Sequence, residues 1–325
     1  MKKRRLFKRK HVFWCIPAAL LLAGIIWEAV MVSAERKNLS EPGAYADLGT
    51  YRAHYYSQGS GGIAFVFIAG SGTPCAYTDF YELQNMLSET GQTVSFDHAG
   101  SGWSSGTKSP RTLENLVNEL SALIDTVTGV KPVILICHSL GSLEAIGYAQ
   151  SRPERVAGII FLDSGSPEFY STDSELLAKA VNRGAALFRT TGLNRLCSEL
   201  NLLLPLYGEN IRNPQLPEKL QETDKAMFFK FAGNRASLGT IELMNENAAA
   251  VLSGPALGGI PVLVLSSDNG DDWDSVQMQL DAWSENSEQA TVNTSEHYIY
   301  WANLDEVSNY INDFVSRTAA KYPGF

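Results

Sequence analysis

The clearest chemical signal in the chain is a serine that directly follows an apolar run. Residues 133–137 (VILIC) predict a buried strand, CHSLG follows at 137–141, and a helical pattern continues to Ser151. A serine at a sharp turn between a strand and a helix is typical of a nucleophile elbow, written G-x-S-x-G, here with Cys137 in place of the first glycine. Ser139 is therefore the predicted nucleophile, and a simple helix N-cap is the weaker interpretation.

A serine nucleophile needs a base that accepts its proton. His297, in SEHYI at 295–299, follows the last predicted strand and is the predicted base. The other histidines fit less well. His11 lies in a basic head, His54 lies in an early strand-like segment, and His138 lies on the turn itself, where we expect its side chain to point away.

Three aspartates compete to orient that base. Asp268 follows the PVLVL strand at 261–265 and is the first choice. Asp271 in the same segment is one rival, and Asp163 at the end of the VAGIIFL strand (156–162) is another. Every choice gives the chain order Ser, Asp, His. The two aspartates not used would cap loops and turns.

A glycine-rich turn, AGSGTP at 69–74, follows the strand at 63–68. Its backbone can approach a ligand closely, so we expect the N–H groups of Ser71 and Leu140 to bind a developing oxyanion. A phosphate loop is the rival interpretation, but the turn lacks the P-loop lysine and G-x-G-x-x-G spacing. Asp97 and His98 follow another strand, and we interpret them as a structural loop with His98 able to line the site.

The elements that must position these residues alternate between strands and helices. We predict strands at 63–68, 93–96, 133–137, 156–162, 261–265 and 290–292, and helices at 77–90, 112–127, 140–151, 276–283 and 304–319. Strands without polar alternation indicate a doubly wound, mostly parallel α/β sheet that helices cover on both faces. Ligands bind such sheets at the carboxyl ends of the strands. The predicted core is 46–165 and 256–325, and 166–255, without a convincing strand, is a predicted helical cap.

The amino-terminal segment predicts membrane targeting. Residues 1–11 hold seven Lys or Arg, and residues 12–32 are apolar apart from Glu28. A signal anchor with a cytoplasmic head, a linker at 33–45 and the body outside the cytoplasm is preferred. Secretion after signal cleavage near Ala34 is the alternative. The rest of the chain has 19 basic against 35 acidic residues, a net −16, which argues against nucleic-acid binding and against anionic lipids as partners of the body.

Together these motifs resemble those of the α/β-hydrolase superfamily in its capped, esterase- or lipase-like form. The resemblance covers roughly residues 45–320 and rests on AGSG at 69–72, FDHAGSGWS at 96–104, CHSLGS at 137–142, FLDS at 161–164, PVLVL at 261–265 and SEHYI at 295–299. Relatives usually have His-Gly at 69–70, Asp-Arg at 97–98 and Gly-x-x-Asp after the PVLVL strand. The resemblance implies hydrolysis of an ester, thioester or amide through an acyl-serine, without a cofactor or metal.

The predicted function is therefore a serine hydrolase for a small acyl substrate, with Ser139 and His297 in the reaction. The leucine- and phenylalanine-rich cap favours an apolar acyl group. An aminopeptidase-type hydrolase and a non-catalytic binder of small ligands are the alternatives. A membrane-tethered scaffold protein is a further class. The scattered histidines show no zinc spacing, so no metal site is expected.

Overall fold

The computed structural model describes residues 2–200, 202 and 209–320; the side chains of residues 2–14, 209, 210, 271 and 319 lie outside this description. The strands are β1 (Ala44–Asp47), β2 (Arg52–Gln58), β3 (Ala64–Ile68), β4 (Gln92–Phe96), β5 (Val133–His138), β6 (Val156–Leu162), β7 (Val262–Ser267) and β8 (Ser287–Val292). The helices are α1 (Lys2–Asn38), α2 (Ala76–Asp79), α3 (Tyr81–Leu87), α4 (Leu113–Thr128), α5 (Gly141–Ser151), α6 (Pro167–Thr172), α7 (Glu175–Thr190), α8 (Leu193–Glu199), α9 (Glu209–Arg212), α10 (Glu218–Phe231), α11 (Arg235–Glu242), α12 (Met244–Leu252), α13 (Asp271–Asp281), α14 (Ile299–Ala302) and α15 (Leu304–Ala319).

All eight strands form one sheet in the order β1-β2-β4-β3-β5-β6-β7-β8. The pairs β1–β2 and β2–β4 are antiparallel, and the remaining pairs are parallel. The predicted doubly wound, mostly parallel sheet is confirmed. The sequence indicates only a strand-like segment around His54 and does not predict the antiparallel edge of β1 and β2, because β2 (RAHYYSQ) carries too many polar residues for a buried run.

The central strand β5 is buried along its whole length and holds the serine turn at its end. Val133, Leu135 and Cys137 pack into the core on one face, together with α4 and α5, while Ile134 and Ile136 pack into the core on the other face. This alternation follows from the two-residue repeat of a strand. Burying a side chain of this size contributes about 1.5–3 kcal/mol, so β5 is a stable support for the turn that follows it.

Two helices differ from their predicted bounds. The helix predicted at 77–90 is two helices, α2 and α3, which meet at Phe80, whose buried ring lies 5.0 Å from that of Phe67 between centroids. The helix predicted at 276–283 begins earlier, at Asp271, directly after Gly270 with its φ of +94°. Both differences arise from local packing and turn geometry that apolar periodicity does not report.

The amino-terminal helix is longer than predicted. Helix α1 continues to Asn38 and β1 begins at Ala44, so residues 33–38 and 44–45 of the predicted linker are helix and strand. Cys15–Asn38 is long and apolar enough to cross a membrane by length and composition, and most of it is exposed. It is a candidate transmembrane helix.

Between β6 and β7 the described elements, α6 to α12, are all helical, as predicted for a cap. The predicted apolar crowding at Leu203 and Leu204 lies outside the described residues. Helix α7 lies against α11, and α6 lies against α12, so the helices pack on one another as well as on the sheet. The candidate site lies where this helical layer meets the carboxyl ends of the parallel strands.

Candidate active site

Ser139 occupies the turn that the sequence predicts for it. It lies between β5 and α5 with a φ of +52°, a left-handed conformation that costs a non-glycine residue about 1–3 kcal/mol. The turn depends on small neighbours, because a Cβ on Gly141 would lie 2.9 Å from the Ile68 carbonyl oxygen. Cys137 is fully buried at the position of the first motif glycine, so its small side chain fits there.

A second chain segment approaches Ser139 from the strand β3 side. A Cβ on Gly70 would lie 2.9 Å from the Ser139 Cβ, so the glycine-rich turn passes close to the serine. Ser71 and Leu140, the predicted oxyanion donors, line the same cavity as Ser139. This cavity has a volume of about 300 Å³. The structure thus brings the predicted serine and both predicted donors to one opening.

His297 lines this cavity as well, and its imidazole is paired with an aspartate. The His297 Nδ1 lies 2.7 Å from Asp163 Oδ2. A carboxylate accepts, so Nδ1 carries the hydrogen and Nε2 is left as the basic nitrogen. The His297 side chain is 43% exposed, whereas that of Asp163 is 2% exposed, so the pair runs from the cavity into the protein interior.

Asp163 is itself held by two further donors. Its Oδ1 accepts a hydrogen bond of 2.7 Å from the Ser267 backbone N–H and one of 2.8 Å from Trp273 Nε1. Its φ of +45° is, with that of Ser139, one of two positive values among the described non-glycine residues. Strain of this kind persists where surrounding contacts over-determine it, and it concentrates at functional sites.

The first choice of orienting acid, Asp268, is wrong in this structure. Asp268 follows β7 but is exposed, and its backbone N–H donates to the Thr294 carbonyl at 2.7 Å. Asp163 contacts His297 instead, because its left-handed backbone turns the carboxylate from the end of β6 toward β7. The side chain of the other rival, Asp271, lies outside the described residues.

His138 does not simply point away from the site, as the sequence suggested. Its buried ring lies 4.4 Å from the His297 ring between centroids, and its Nε2 donates to the His297 carbonyl oxygen at 3.2 Å. Burial, reinforced by the neighbouring His297, holds the pKa of His138 well below its usual value. A neutral His138 therefore supports the segment that carries His297.

Two aromatic residues at the site were missed by the sequence interpretation. Trp273 holds Asp163, and Tyr170 of α6 lines the cavity with its phenol next to the Ser139 hydroxyl. Burial raises the pKa of Tyr170, so the phenol stays protonated. Both residues lie in segments whose fold the sequence leaves open, and a lone tryptophan or tyrosine there carries no motif.

The Asp97 loop is structural, as interpreted. Asp97 accepts hydrogen bonds from the Ala76 and Trp103 N–H groups at 2.8 and 3.1 Å, and its Oδ2 lies 2.8 Å from His54 Nδ1. His98 lines a second, smaller cavity of about 60 Å³, where its Nε2 lies 2.9 Å from Glu144 Oε2. Neither His98 nor Glu144 forms an ion pair with His297.

Within the described part of the chain, no group of three or more His, Cys, Asp and Glu residues could hold a metal ion. Apolar and small side chains of the cap line the same cavity as Ser139: Ala178, Val181, Ile241 and Met244. The site is thus a serine, a histidine and a buried carboxylate beside an apolar wall.

Comparisons with known proteins identify the family of the chain. The chain matches the model of the alpha/beta hydrolase fold over residues 63–304. It is 26% identical over 263 residues to the Bacillus subtilis protein YbdG, and the match covers 79% of each chain. It is 24% identical over 290 residues to the cis-3-alkyl-4-alkyloxetan-2-one decarboxylase of Shewanella oneidensis, and this match covers 82% of this chain and 86% of that protein.

The fold also matches solved structures. A thermophilic esterase from Thermogutta terrifontis superposes with a TM-score of 0.61 at 18% identity, covering 82% of this chain and 94% of the esterase. At this identity the likeness concerns the fold alone. The family model, however, matches most of the chain, including the segments that hold Ser139, Asp163 and His297. The chain belongs to the alpha/beta hydrolase family.

Proposed function

We propose that this hydrolase cleaves an ester, thioester or amide through an acyl-serine at Ser139. The observation that carries the proposal is the His297–Asp163 pair of 2.7 Å, which opens on the same cavity as the strained Ser139 turn. A base oriented by a buried acid beside a serine is the arrangement that activates a seryl oxygen.

In the first half of the reaction, the Ser139 Oγ forms a bond to the acyl carbon while its proton passes to His297 Nε2. The carbonyl oxygen becomes an oxyanion, which the N–H groups of Ser71 and Leu140 bind. Loss of one such donor costs about 2.7–4 kcal/mol in comparable enzymes. His297 then gives its proton to the leaving atom as the bond to the acyl carbon breaks, and the acyl group stays on Ser139.

In the second half, a water oxygen bonds to the acyl carbon and passes a proton to His297 Nε2. The Ser139 Oγ leaves, recovers the proton from His297, and the acid product is released. Asp163 holds Nδ1–H throughout and stabilises the imidazolium that forms twice per turnover. The hydrogen bonds from Ser267 and Trp273 keep the carboxylate oriented toward His297.

We propose an apolar acyl group as the substrate class, because Ala178, Val181, Ile241 and Met244 line the cavity. Each CH₂ buried there contributes about 0.8 kcal/mol. The Shewanella relative is named for an alkyl oxetanone, a cyclic ester that carries alkyl chains, which supports the same substrate class. That relative is named for a decarboxylation, so hydrolysis is the activity to measure on this chain.

We further propose that α1 anchors the protein in a membrane, with the basic residues at 2–11 in the cytoplasm and the hydrolase body outside it. Support comes from the length and composition of Cys15–Asn38 and from the positive charge that precedes it. Protease protection of the body in intact cells tests this orientation.

The hydrolase proposal is tested with p-nitrophenyl esters of increasing acyl length. We expect turnover by the wild type, kcat/KM that rises with acyl length, and loss of turnover in Ser139→Ala. Ser151→Ala, an exposed serine at the end of α5, is the matched control and should retain activity. Preference for free amino-terminal peptide substrates would instead indicate the aminopeptidase type, and binding without turnover would indicate a non-catalytic protein.

A further inference from the structure

Helix α1 packs on the cap through one face. Gly24, Glu28 and Glu35 lie at intervals of four and seven residues, so they share that face of the helix. Arg195 of α8 lies 2.9 Å from Glu28 Oε2 through its Nε, and 3.0 Å from Glu35 Oε2 through Nη2. The Arg195 side chain is only 2% exposed, so removing α1 would take away both carboxylates that pair with it.

The backbones meet just as closely at the turn between α7 and α8. A Cβ on Gly24 would lie 2.3 Å from the Thr191 carbonyl oxygen, and one on Gly192 would lie 3.0 Å from the Gly24 carbonyl oxygen. Gly192 also has a φ of +73°, which favours glycine. The contact is therefore fixed by two glycines and a buried ion pair, and α1 is not a loosely tethered leader.

This contact lies within the apolar segment of α1. Because a helix rises 1.5 Å per residue, Gly24 lies about 12 Å along the axis from Val32, the last residue of the apolar run. The Thr191–Gly192 turn thus lies beside the part of α1 that would be in the bilayer. If α1 crosses a membrane over this segment, the cap must contact that membrane.

The cap surface around this turn is apolar and exposed. Leu187 and Phe188 at the end of α7, and Leu196 and Leu200 at α8, are 60%, 46%, 44% and 59% exposed. Helix α1 is exposed in the same way at Leu20, Leu21, Leu22, Ile25 and Ile26. Exposed apolar side chains on two elements in contact form one continuous surface, and a surface of this kind marks an interaction site.

We infer that the α7–α8 turn and its flanking leucines and Phe188 are immersed in the leaflet of the bilayer that α1 crosses on the side of the hydrolase body. The occupant of the surface is lipid, because the surface is continuous with the candidate transmembrane helix and, like that helix, exposes several large apolar side chains. Apolar contact, rather than attraction to anionic headgroups, makes the association, as the acidic body requires.

The immersed surface continues to the candidate active site. On α7, Leu177, Val181 and Phe188 lie at intervals of four and seven residues, so they form one stripe. Val181 in the middle of that stripe is 42% exposed and also lines the cavity of Ser139. An amphiphilic substrate in the leaflet would therefore meet the apolar wall of the site without first crossing water. This consequence rests on the proposed function; the immersion itself rests only on the placement of α1.

The test places a fluorescent bimane on single cysteines in the full-length protein. The background carries Cys15→Ser and Cys197→Ser, which leaves only the buried Cys75 and Cys137. Leu196→Cys and Phe188→Cys report on the cap, and Leu21→Cys reports on α1. Val130→Cys is the control, because Val130 is 93% exposed in the turn before the amino-terminal end of β5, whereas the cap covers the carboxyl ends of the strands. Each protein is reconstituted in phosphatidylcholine vesicles with or without brominated acyl chains, which quench bimane on contact.

We expect the cap labels to lose fluorescence in brominated lipid to an extent comparable with the Leu21→Cys label, while the Val130→Cys label is unchanged. Quenching at α1 but not at the cap would overturn the inference and leave α1 as an anchor. Absence of quenching at both the cap and α1 would show that α1 does not cross the bilayer, and it would overturn the inference as well. Cap labels shielded from aqueous iodide but not quenched by lipid would show that a second copy covers the face, which also overturns the inference. Hydrolysis is not measured, so none of these outcomes bears on Ser139.

Discussion

Asp163, at the end of β6, places its Oδ2 2.7 Å from His297 Nδ1, which comes from the segment after β8. The two residues are 134 positions apart in the chain, and strand β7 lies between theirs in the sheet. The backbone N–H of Ser267, at the end of β7, holds the other carboxylate oxygen. The acid therefore reaches across one strand to the histidine, and three strand ends share in placing it.

This relationship predicts unequal effects of two aspartate substitutions. Asp163→Asn should lower kcat by up to about four orders of magnitude, because an amide cannot stabilise the imidazolium and favours the wrong tautomer. Asp268→Asn should keep kcat within about twofold of the wild type. Asp268 is exposed and makes no contact with His297 among the described contacts. Steady-state kinetics of both variants on one ester decides between the two acids, and the reverse pattern would restore Asp268.

Trp273 should affect turnover through Asp163. Trp273→Phe removes the 2.8 Å hydrogen bond to Asp163 Oδ1 but leaves the one from Ser267. We expect kcat to fall about tenfold, which corresponds to about 1.4 kcal/mol, with KM little changed. Trp283→Phe, the same substitution two residues beyond the end of α13, is the control and should leave kcat unchanged. An equal loss in both variants would indicate a general effect on folding.

The geometry of the Asp97 loop predicts that alanine substitutions at two nearby glycines have very different effects on the free energy of unfolding. A Cβ on Gly102 would lie 1.9 Å from Asp97 Oδ2, and the φ of Gly102 is +50°. Gly102→Ala should therefore lower the free energy of unfolding by more than about 2 kcal/mol. Gly106→Ala meets nothing within 4 Å and should change it by less than about 0.5 kcal/mol. Denaturant unfolding of both variants measures this, and equal stabilities would contradict the loop geometry.

We expect His138 to make the free energy of unfolding depend on pH. Burial and the neighbouring His297 hold its pKa well below 6.5 in the folded protein, so below that pH the unfolded chain binds a proton that the folded chain does not. The stabilisation is complete above pH 6.5, and the free energy of unfolding falls by up to about 1.4 kcal/mol per pH unit as the pH drops below it. His138→Gln should flatten that part of the pH profile.

His54 should contribute with the opposite sign. Burial lowers its pKa, but the hydrogen bond and charge of Asp97, together with the Pro42 carbonyl, outweigh burial and raise it. Its stabilisation is therefore present below pH 6.5 and is lost as the pH rises through the raised pKa. Comparison of His54→Gln with His138→Gln separates the two contributions, and identical pH profiles for the two variants would contradict both assignments.

The sequence predicts the sheet and the turn that holds Ser139 well, because both depend on local signals. Buried strands such as 133–137 are continuous apolar runs, and the turn at 137–141 is a short motif with a fixed geometry. His297 is predicted from its position after the last strand, and the structure places it there. Each of these signals lies within a few residues of the feature that it predicts.

The choice of acid could not be made in the same way. Asp163 and Asp268 both follow buried strands, and only the left-handed backbone at Asp163 and the donors on Ser267 and Trp273 distinguish them. These are contacts between residues more than 100 positions apart. The packing of Glu28 on Arg195 is likewise a long-range contact, because a single glutamate in an apolar run does not indicate its partner.

The most direct test of the serine mechanism is a covalent one. Purified full-length protein is treated with a fluorophosphonate, and the modified peptide is identified by mass spectrometry, with Ser139→Ala as the control. We expect one adduct on Ser139 in the folded wild type and none in Ser139→Ala. Folded wild-type protein that stays unmodified, or that is modified equally in Ser139→Ala, would contradict it.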